Sequence, residues 1–284
     1  MISHYAVSMN ELKVNHFDLK DTIECGQTFC WIKEGEGYIN SDVGQVVYVE
    51  QDGNKLRYDS SSGKVDIREL FRLADPLPEI QKEIMIDKMM KDSISFAPGL
   101  RIIKDPFFPC LISFICSIRN NIPSIRRLTQ SLREKYGSIY KFREKTYYGM
   151  PTPKQMSKAT IRELDSLRLG WRKHFIKHTT ESIISGEVTP EHLKELEYEE
   201  AHELLKSLHG VGDKVADCVC LFSLGFLEAF PIDVWIERVI QKQYGIFTAT
   251  GNSYTKKSKA AREYFGSYAG YAQEYLYYFS RSTF

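Results

Sequence analysis

Hydrophobic and polar residues alternate in three short stretches within the first third of the chain. The stretches are separated by segments rich in glycine, asparagine and aspartate, and they lie at 28–32, 45–49 and 55–58. Alternation with a period of two is typical of strands that bury one face, and the intervening residues favour turns. We therefore predict an antiparallel meander, followed by helices at about 66–74 and 78–92.

From residue 96 onward the apolar residues recur with the period of a helix, with short breaks at glycine and proline. No internal repeat or low-complexity segment interrupts this pattern. The fold class that follows is α+β. We predict an N-terminal antiparallel-sheet domain at 1–92 and an all-helical domain at 93–284.

The composition is that of an ordinary globular protein, with 43% hydrophobic and 26% charged residues among 284. No apolar stretch reaches the roughly 18 residues that span a bilayer, and residues 1–14 lack the basic and then apolar plan of a signal peptide. We therefore expect an intracellular protein with no membrane partner. We also expect a monomer.

The cysteines and histidines show no pattern of metal ligands. The six cysteines include no C-x-x-C pair, and none follows residue 220. His174 and His178 lie one helical turn apart, but no third ligand is apparent, and a solvated helix face explains them better. We expect reduced thiols, no cofactor and no iron–sulfur cluster.

Charge is distributed unevenly, although the net charge is only +1. Residues 119–145 carry eight Lys or Arg against two acidic residues, and residues 154–177 carry seven against two. Residues 187–203 instead carry seven acidic residues against one lysine. A protein with one anion-binding side would show this distribution, and solvated helix faces would show it equally well.

The segment 208–233 contains the clearest candidate chemistry. Gly210 and Gly212 lead directly into an apolar helical stretch, so a tight turn would direct the free N–H groups of a helix start at an anion such as phosphate. Lys214 follows in the first turn, where the helix dipole and partial burial favour a neutral, nucleophilic amine. Asp233 stands at the N-cap position of a further helix. A glycine pair before a helix is a weak motif by itself.

The sequences LHGVGDKVADCVC and PIDVW together resemble the helix–hairpin–helix motif and the Gly/Pro-rich loop with its aspartate of the HhH-GPD superfamily of DNA glycosylases. Within that superfamily the chain is most similar to the 8-oxoguanine DNA glycosylases. The resemblance extends through five segments from about Phe17 to Leu276. It implies a TBP-like N-terminal domain, a hairpin at about 203–224, and extrusion of a damaged nucleotide into a protein pocket.

The resemblance also implies a bifunctional reaction on double-stranded DNA containing 8-oxoguanine. The free amine of Lys214 would attack the deoxyribose C1′, expel the base and leave a Schiff base, from which β-elimination nicks the strand. Asp233 would stabilise the positively charged transition state. Such an enzyme would be intracellular, and in a prokaryote it would lie in the cytoplasm or nucleoid.

Four residues are implied to form the base pocket. In the sequence CGQTFCW, Gly26 would offer its carbonyl to the N7–H that 8-oxoguanine has and guanine lacks. Gln273 would read a purine edge while Tyr277, four residues on along the same helix face, stacks on the base. Cys218 would form the opposite wall. Without the resemblance, the glycine suits a turn before a strand and the tyrosines suit a core.

Two loops resemble those that fill the space left by the extruded nucleotide. Asn120 and Asn121 follow Arg119, where the family has another asparagine; asparagines at a helix end are also typical caps. In the sequence LGWR, Trp171 takes the place of the aromatic wedge and Arg172 that of the donor to the unpaired base.

The remaining implied contacts concern the opposite base, the phosphates and an accessory ion. Ser124 stands where cytosine-specific members have another arginine, so we expect weak selection for the base opposite the lesion. The other implied DNA contacts are Gly210, Gly212, Val215 and Trp235. In relatives the hairpin carbonyls can hold a monovalent or calcium ion that catalysis does not require, and here they belong to Lys206, Leu208 and Val211.

Two other functions remain open from the sequence. A glycosylase of this fold could remove an alkylated base or a pyrimidine, but Lys214 argues against the monofunctional alkyl-base members, and Gly26 with Gln273 favours an oxidised purine. A non-catalytic DNA-binding protein could use the hairpin for phosphate alone. Such a protein would need neither Lys214 nor Asp233.

Overall fold

The N-terminal part of the chain forms a five-stranded antiparallel sheet with the strand order β1-β5-β4-β3-β2. The strands are β1 (Asn10–Lys13), β2 (Trp31–Glu34), β3 (Gly37–Asn40), β4 (Val47–Asp52) and β5 (Lys55–Ser60). Strands β2, β4 and β5 overlap the three predicted stretches and confirm an antiparallel meander, whereas β3 was not predicted. Strand β1 pairs with β5 as an additional edge strand. The computed structural model describes residues 9–283, without the side chains of residues 246, 247 and 249. Residues 1–8, on which part of the signal-peptide prediction rests, and residue 284 lie outside the described residues.

Short helices flank the sheet. Helix α1 (Leu19–Glu24) begins at the N-cap Asp18, and the helix predicted at 66–74 is a single turn, α2 (Ile67–Leu70), capped by Asp66. Alternate strand residues pack with these helices into one core, formed by Trp31, Tyr38, Val47, Val49, Leu56, Ile67 and Phe71 among others.

The helix predicted at 78–92 is divided in two. Helix α3 (Leu77–Ile84) ends before residues 85–87, and α4 (Lys88–Phe96) begins at the N-cap Asp87, whose carboxylate accepts the N–H of Met90 at 2.8 Å. The buried residues of both helices belong to the core of the helical part, not to that of the sheet. The helices therefore join the second core, although the predicted division at 92/93 places most of them in the first domain.

Eleven further helices are described between residues 107 and 283. They are α5 (Phe107–Ser117), α6 (Ile122–Tyr136), α7 (Pro153–Met156), α8 (Ile161–Ser166), α9 (Arg172–Ser185), α10 (Pro190–Glu195), α11 (Tyr198–Lys206), α12 (Asp213–Val219), α13 (Val234–Gln243), α14 (Tyr254–Phe265) and α15 (Ala269–Thr283). Helix α12 continues as a π-helical turn, Cys220–Leu224. Across residues 9–283 no helix combines the length and apolar character needed to traverse a bilayer.

The helical part also contains a small hairpin that the helical periodicity did not predict. Strands β6 (Ile139–Phe142) and β7 (Lys145–Tyr148) pair antiparallel around Arg143 and Glu144, which have φ of 47° and 64°. Two successive positive φ values are typical of the tight turns that join such strands. Phe142 packs against apolar residues of the N-terminal sheet domain, so this hairpin connects the helical part to the sheet domain by hydrophobic contact.

A buried ion pair joins the sheet domain to α6. The guanidinium of Arg133, a residue 2% exposed, donates to Asp42 from Nε at 3.0 Å and from Nη2 at 2.5 Å. Nη2 also donates to the carbonyl of Phe29 at 2.9 Å, and Asp42 accepts the N–H of Met150 at 2.7 Å. Removal of either charge would leave its partner buried and unpaired.

We predict that Arg133→Leu lowers the free energy of unfolding by about 3–5 kcal/mol, because the buried Asp42 carboxylate loses its ion-pair partner. The control is Arg126→Leu on the exposed side of the same helix, which should change the free energy by less than about 0.5 kcal/mol. Urea unfolding monitored by circular dichroism measures both. Equal losses for the two variants would show that the ion pair contributes no special stability.

Candidate active site

A cleft of about 1190 Å³ lies between the loop that follows α1 and the helical part of the molecule. Its walls combine residues that are far apart in the sequence. The predicted site residues among them are Gly26, Arg119, Asn120, Gly210, Gly212, Lys214, Val215, Cys218, Asp233, Trp235, Gln273 and Tyr277. The fold therefore brings together most of the residues that the sequence singled out.

The hairpin that carries Lys214 is formed by α11 and α12 and spans residues 198–219, whereas the predicted range was about 203–224. Gly210 has φ +85°, and a Cβ atom there would lie 2.1 Å from the ring of Phe175, so this position requires glycine. Gly212 instead has φ −99° and open space beside it, and it is the N-cap of α12. The two glycines thus have different roles, one in the turn and one at the open helix start.

Lys214 projects from the first turn of α12 into the cleft and is half-buried. Its Nζ donates to the hydroxyl of Ser117 at 3.3 Å and lies 4.8 Å from the centre of the Phe114 ring. Cys218 lies one turn further on the same helix, where burial raises the pKa of its thiol to about 12, although the charge of Lys214 opposes the shift. The lysine therefore stands beside a neutral thiol, a hydroxyl and an aromatic face.

Asp233 occupies the N-cap of α13, as predicted. One carboxylate oxygen, Oδ1, accepts the N–H groups of Trp235 at 3.0 Å and Ile236 at 2.9 Å. Burial raises the pKa of this carboxyl above its ordinary value, while the N–H of Ile236 and the charge of Lys214 oppose that shift. The carboxylate thus lies within electrostatic reach of the lysine in the same cleft.

The loop that carries Gly26 is held firmly between the two parts of the molecule. The side-chain amide of Gln27, 1% exposed, donates to the carbonyls of Thr22 and Arg101, both at 2.7 Å, and accepts the N–H of Ile103 at 2.9 Å. Gly26 itself has φ +116°. This conformation is rare for any residue with a side chain, so the loop geometry depends on glycine.

Helix α15 forms the wall opposite this loop. A Cβ atom at Gly26 would lie 2.8 Å from Tyr277 Cε1 and 2.8 Å from Arg281 Nη1. Arg281 also donates from Nη2 to the carbonyl of Glu24 at 2.7 Å, and its guanidinium lies 5.4 Å from the centre of the Tyr277 ring. Gln273, 4% exposed, has a buried Oε1 that accepts no hydrogen bond from the described residues. The amide thus retains an acceptor for a ligand in the cleft.

The asparagine loop joins α5 to α6. Arg119 is exposed and has φ +49°, a conformation that asparagine adopts more readily. The Asn120 side chain donates to the carbonyl of Cys116 at 3.1 Å, which is the capping role that asparagines have at a helix end. Asn121 instead caps the following helix, accepting the N–H of Ser124 at 2.9 Å.

The loop with Trp171 and Arg172 lies beside the asparagine loop. Trp171 is 44% exposed and meets Phe175 edge-on, with ring centres 5.0 Å apart. Arg172 stacks over Trp171 at 4.5 Å and donates from Nε to the carbonyl of Ile118 at 3.2 Å. The guanidinium that was predicted to meet an unpaired base is therefore hydrogen-bonded to protein in this structure, and neither residue lines the cleft.

Comparisons with known proteins decide the family. A family model described as the 8-oxoguanine DNA glycosylase N-terminal domain matches residues 9–111. The N-glycosylase/DNA lyase of Saccharomyces cerevisiae is 30% identical over 257 residues, covering 80% of this chain and 68% of the yeast protein. A probable N-glycosylase/DNA lyase of Methanothermobacter thermautotrophicus is 30% identical over 220 residues, covering 69% and 68%. The chain belongs to the N-glycosylase/DNA lyase family of 8-oxoguanine glycosylases.

A solved structure agrees with this assignment. It is that of the 8-oxoguanine glycosylase/lyase of Clostridium acetobutylicum in complex with double-stranded DNA containing cytosine opposite 8-oxoguanine. Its sequence is 33% identical to that of this glycosylase and the TM-score is 0.88, over 97% of this chain and 98% of that chain. The α+β fold of this glycosylase is therefore that of its family throughout the part that the structure describes.

Several residues of the cleft in this glycosylase were not predicted from its sequence, and Arg281 and Glu274 are two of them. Arg281 lies eight residues after Gln273, two helical turns along one face, and that spacing could have indicated it. Glu274 is 1% exposed and lines the cleft although it looked like an ordinary helix residue. Its Oε1 is buried without a hydrogen-bond partner among the described residues.

The carbonyls that the resemblance implies for an accessory ion belong to Lys206, Leu208 and Val211, around the hairpin turn. The Leu208 carbonyl accepts the N–H of Val211 at 3.0 Å, and the Lys206 side chain pairs with Glu203 and Asp213, both at 2.9 Å. Within residues 9–283 of this glycosylase, His, Cys, Asp and Glu side chains form no group of three or more that could hold a metal ion.

We predict that the capping role of Asp233 can be separated from its charge. Asp233→Ala should lower the free energy of unfolding by about 1 kcal/mol because two helix N–H groups lose their acceptor, whereas Asp233→Asn should stay within about 0.5 kcal/mol of the wild type. Urea unfolding at pH 7 measures both. If asparagine proves as destabilising as alanine, the carboxylate stabilises the fold by its charge and not as a cap.

Proposed function

We propose that this enzyme removes 8-oxoguanine from double-stranded DNA and then nicks the strand at the resulting site, as a bifunctional base-excision-repair glycosylase and lyase. The observation that carries the proposal is the position of Lys214 and Asp233 in one cleft whose other walls offer Gly26 and Gln273. The names of the relatives, N-glycosylase/DNA lyase, support both activities. A pure DNA-binding protein would require neither the lysine nor the buried carboxylate.

The proposed chemistry begins with the amine of Lys214. Its lone pair forms a bond to the deoxyribose C1′ while the C1′–N9 bond breaks, and that electron pair leaves with the base. The nitrogen then loses a proton, and its lone pair forms the C=N bond while the C1′–O4′ bond breaks and O4′ takes up a proton, which opens the sugar ring to a Schiff base. Loss of a C2′ proton then breaks the C3′–O bond, and the phosphate leaves with that electron pair, which nicks the strand. Asp233 stabilises the positive charge that develops on the sugar. The reaction draws on the amine alone, so we propose no cofactor and no iron–sulfur cluster.

We propose that the cleft distinguishes 8-oxoguanine from guanine at N7. The Gly26 carbonyl accepts the N7–H of the oxidised base, whereas the N7 of guanine is an acceptor and is repelled. Gln273 supplies a donor and a free acceptor for the edge that carries N1 and the 2-amino group. Tyr277 and Cys218 are the walls between which the base stacks.

The remaining proposed contacts position the DNA. Gly210, Gly212 and Val215 offer N–H groups around the hairpin, and Trp235 lies at the start of α13, where it reaches the cleft. Nε and Nη2 of Arg172 donate to the Ile118 carbonyl, so we propose that Nη1 is the donor to the unpaired base. Because the proposed substrate is cellular DNA, we place the enzyme inside the cell, in the cytoplasm or nucleoid if the organism is a prokaryote. We expect it to act as a monomer.

We predict that borohydride traps the wild-type enzyme covalently on a duplex containing 8-oxoguanine, since reduction fixes the Schiff base. Lys214→Gln should abolish the adduct and leave DNA binding intact, whereas Asp233→Asn should slow its formation about 100-fold or more. Lys64→Gln, an exposed lysine of the sheet domain, is the control and should trap normally. Gel electrophoresis of the trapped complex measures all four proteins. Absence of an adduct with the wild type would overturn the bifunctional mechanism.

We further predict weak selection for the base opposite the lesion, because Ser124 replaces an arginine donor of the cytosine-specific members. Single-turnover excision from duplexes with each of the four opposite bases should give similar rates. Ser124→Arg should raise the preference for cytosine by roughly fivefold or more, the effect of one good base contact. A strong cytosine preference in the wild type would contradict this prediction.

A further inference from the structure

Glu274 is a buried carboxyl that the proposed reaction does not use. It lines the cleft directly beside Gln273 and is 1% exposed, and its Oε1 has no hydrogen-bond partner among the described residues. A buried polar atom without a partner is costly, by about 1–3 kcal/mol. Such an atom in a ligand cleft indicates that a ligand supplies the missing partner.

Glu274 lies near both residues that are proposed to read the base, Gln273 and Gly26. It follows Gln273 on α15, and its carboxyl interacts with the thiol of Cys25, the neighbour of Gly26. Under the proposed function, Gly26 meets N7 of the base and Gln273 meets the edge that carries N1. The substituent at C6 of a purine lies between N7 and N1. Glu274 follows Gln273 in the chain and interacts with the neighbour of Gly26, and from this we infer that its carboxyl faces the C6 substituent.

We propose that Glu274 is a specificity-determining residue that reads the C6 substituent of the extruded base, its neutral carboxyl donating a hydrogen bond to O6 of 8-oxoguanine. This inference rests on the proposed function, because it takes the roles of Gly26 and Gln273 from there. A neutral carboxyl has one O–H donor, whereas a carboxylate can only accept. Since O6 is also an acceptor, the ionised form repels it.

The surroundings of Glu274 favour its neutral form. Burial raises the pKa of the carboxyl to about 7, and the negative charge of Asp233 adds to this shift. A hydrogen bond from Cys25 and the positive charges of Arg281 and Lys214 oppose it. Tyr277, on the same helix, also faces the cleft. Because the folded-state pKa is raised, the neutral fraction is lost as the pH rises through about 7. Recognition of O6 should weaken over the same range.

The test measures binding, in the Lys214→Gln background, so that neither catalysis nor titration of that lysine interferes. Fluorescence anisotropy at constant ionic strength gives the affinity for a duplex with 8-oxoguanine and for the same duplex with guanine, from pH 6 to 8.5. Guanine has the same O6, but under the proposed function it is repelled at the Gly26 carbonyl, so its duplex reports binding outside the pocket. The ratio of the two affinities therefore removes the common phosphate contacts and keeps the pocket contacts, including the one to O6. We expect this ratio to fall by up to about tenfold for each pH unit above the pKa of Glu274.

Two further variants in the same background separate base reading from structure. Adding Glu274→Gln should make the ratio independent of pH, because an amide keeps an N–H donor and does not ionise. Adding Glu274→Ala should lower the ratio at pH 6 by roughly twofold to tenfold, the effect of one lost hydrogen bond. Near-ultraviolet circular dichroism checks that each variant retains the native fold.

The outcomes distinguish this inference from the proposed function. A preference for 8-oxoguanine that does not change with pH in the Lys214→Gln protein, or that changes equally after Glu274→Gln, would overturn the role of Glu274 and leave the proposed function standing. An alanine variant that keeps the full preference at pH 6 would do the same. No preference for 8-oxoguanine at any pH would overturn both.

Discussion

The buried ion pair between Arg133 and Asp42 helps to fix the site, because the cleft is assembled from residues of two cores and this pair joins the sheet domain to α6. The same guanidinium holds the Phe29 carbonyl, three residues from Gly26, and the Gln27 amide binds backbone groups on either side of the loop. Gly26, which is proposed to read the lesion, lies in the sheet domain, whereas Lys214 and Gln273 lie in the helical part. The distances from Gly26 to these two residues stay fixed only if the loop that carries Gly26 is rigid.

The cleft contains two sets of polar groups. The proposed reactive groups, Lys214 and Asp233, are hydrogen-bonded to protein, whereas the proposed base-reading residues, Gln273 and Glu274, keep an acceptor without a partner among the described residues. Asp233 accepts two helix N–H groups and Lys214 donates to Ser117, so both stand in defined positions before any substrate is bound. Gln273 and Glu274 each keep a buried oxygen without a partner among the described residues. A base with matching donors would remove that desolvation cost, and a mismatched base would leave it in place. Selectivity of this kind depends on the ligand completing the hydrogen bonds.

Local patterns predicted the parts of this structure that local interactions determine. The meander follows from alternation and turn residues, and the capping role of Asp233 follows from its place before an amphipathic stretch. The hairpin of β6 and β7 was not predicted, because its four tyrosine and phenylalanine residues lie in a basic segment with helical neighbours. Glu274 and the partners of Arg172 could not be predicted either, since they depend on which helix faces meet and on how two loops distant in sequence approach one another.

The central claim is that the Lys214 amine becomes covalently bound to the sugar of the damaged nucleotide. Mass spectrometry of the borohydride-reduced complex, after nuclease and protease digestion, tests this claim most directly. We expect the peptide containing Lys214 to carry the reduced sugar remnant, and the other lysines and the N-terminal amine to remain unmodified. A remnant on any other amine, with Lys214 unmodified, would contradict the role of Lys214 as the nucleophile.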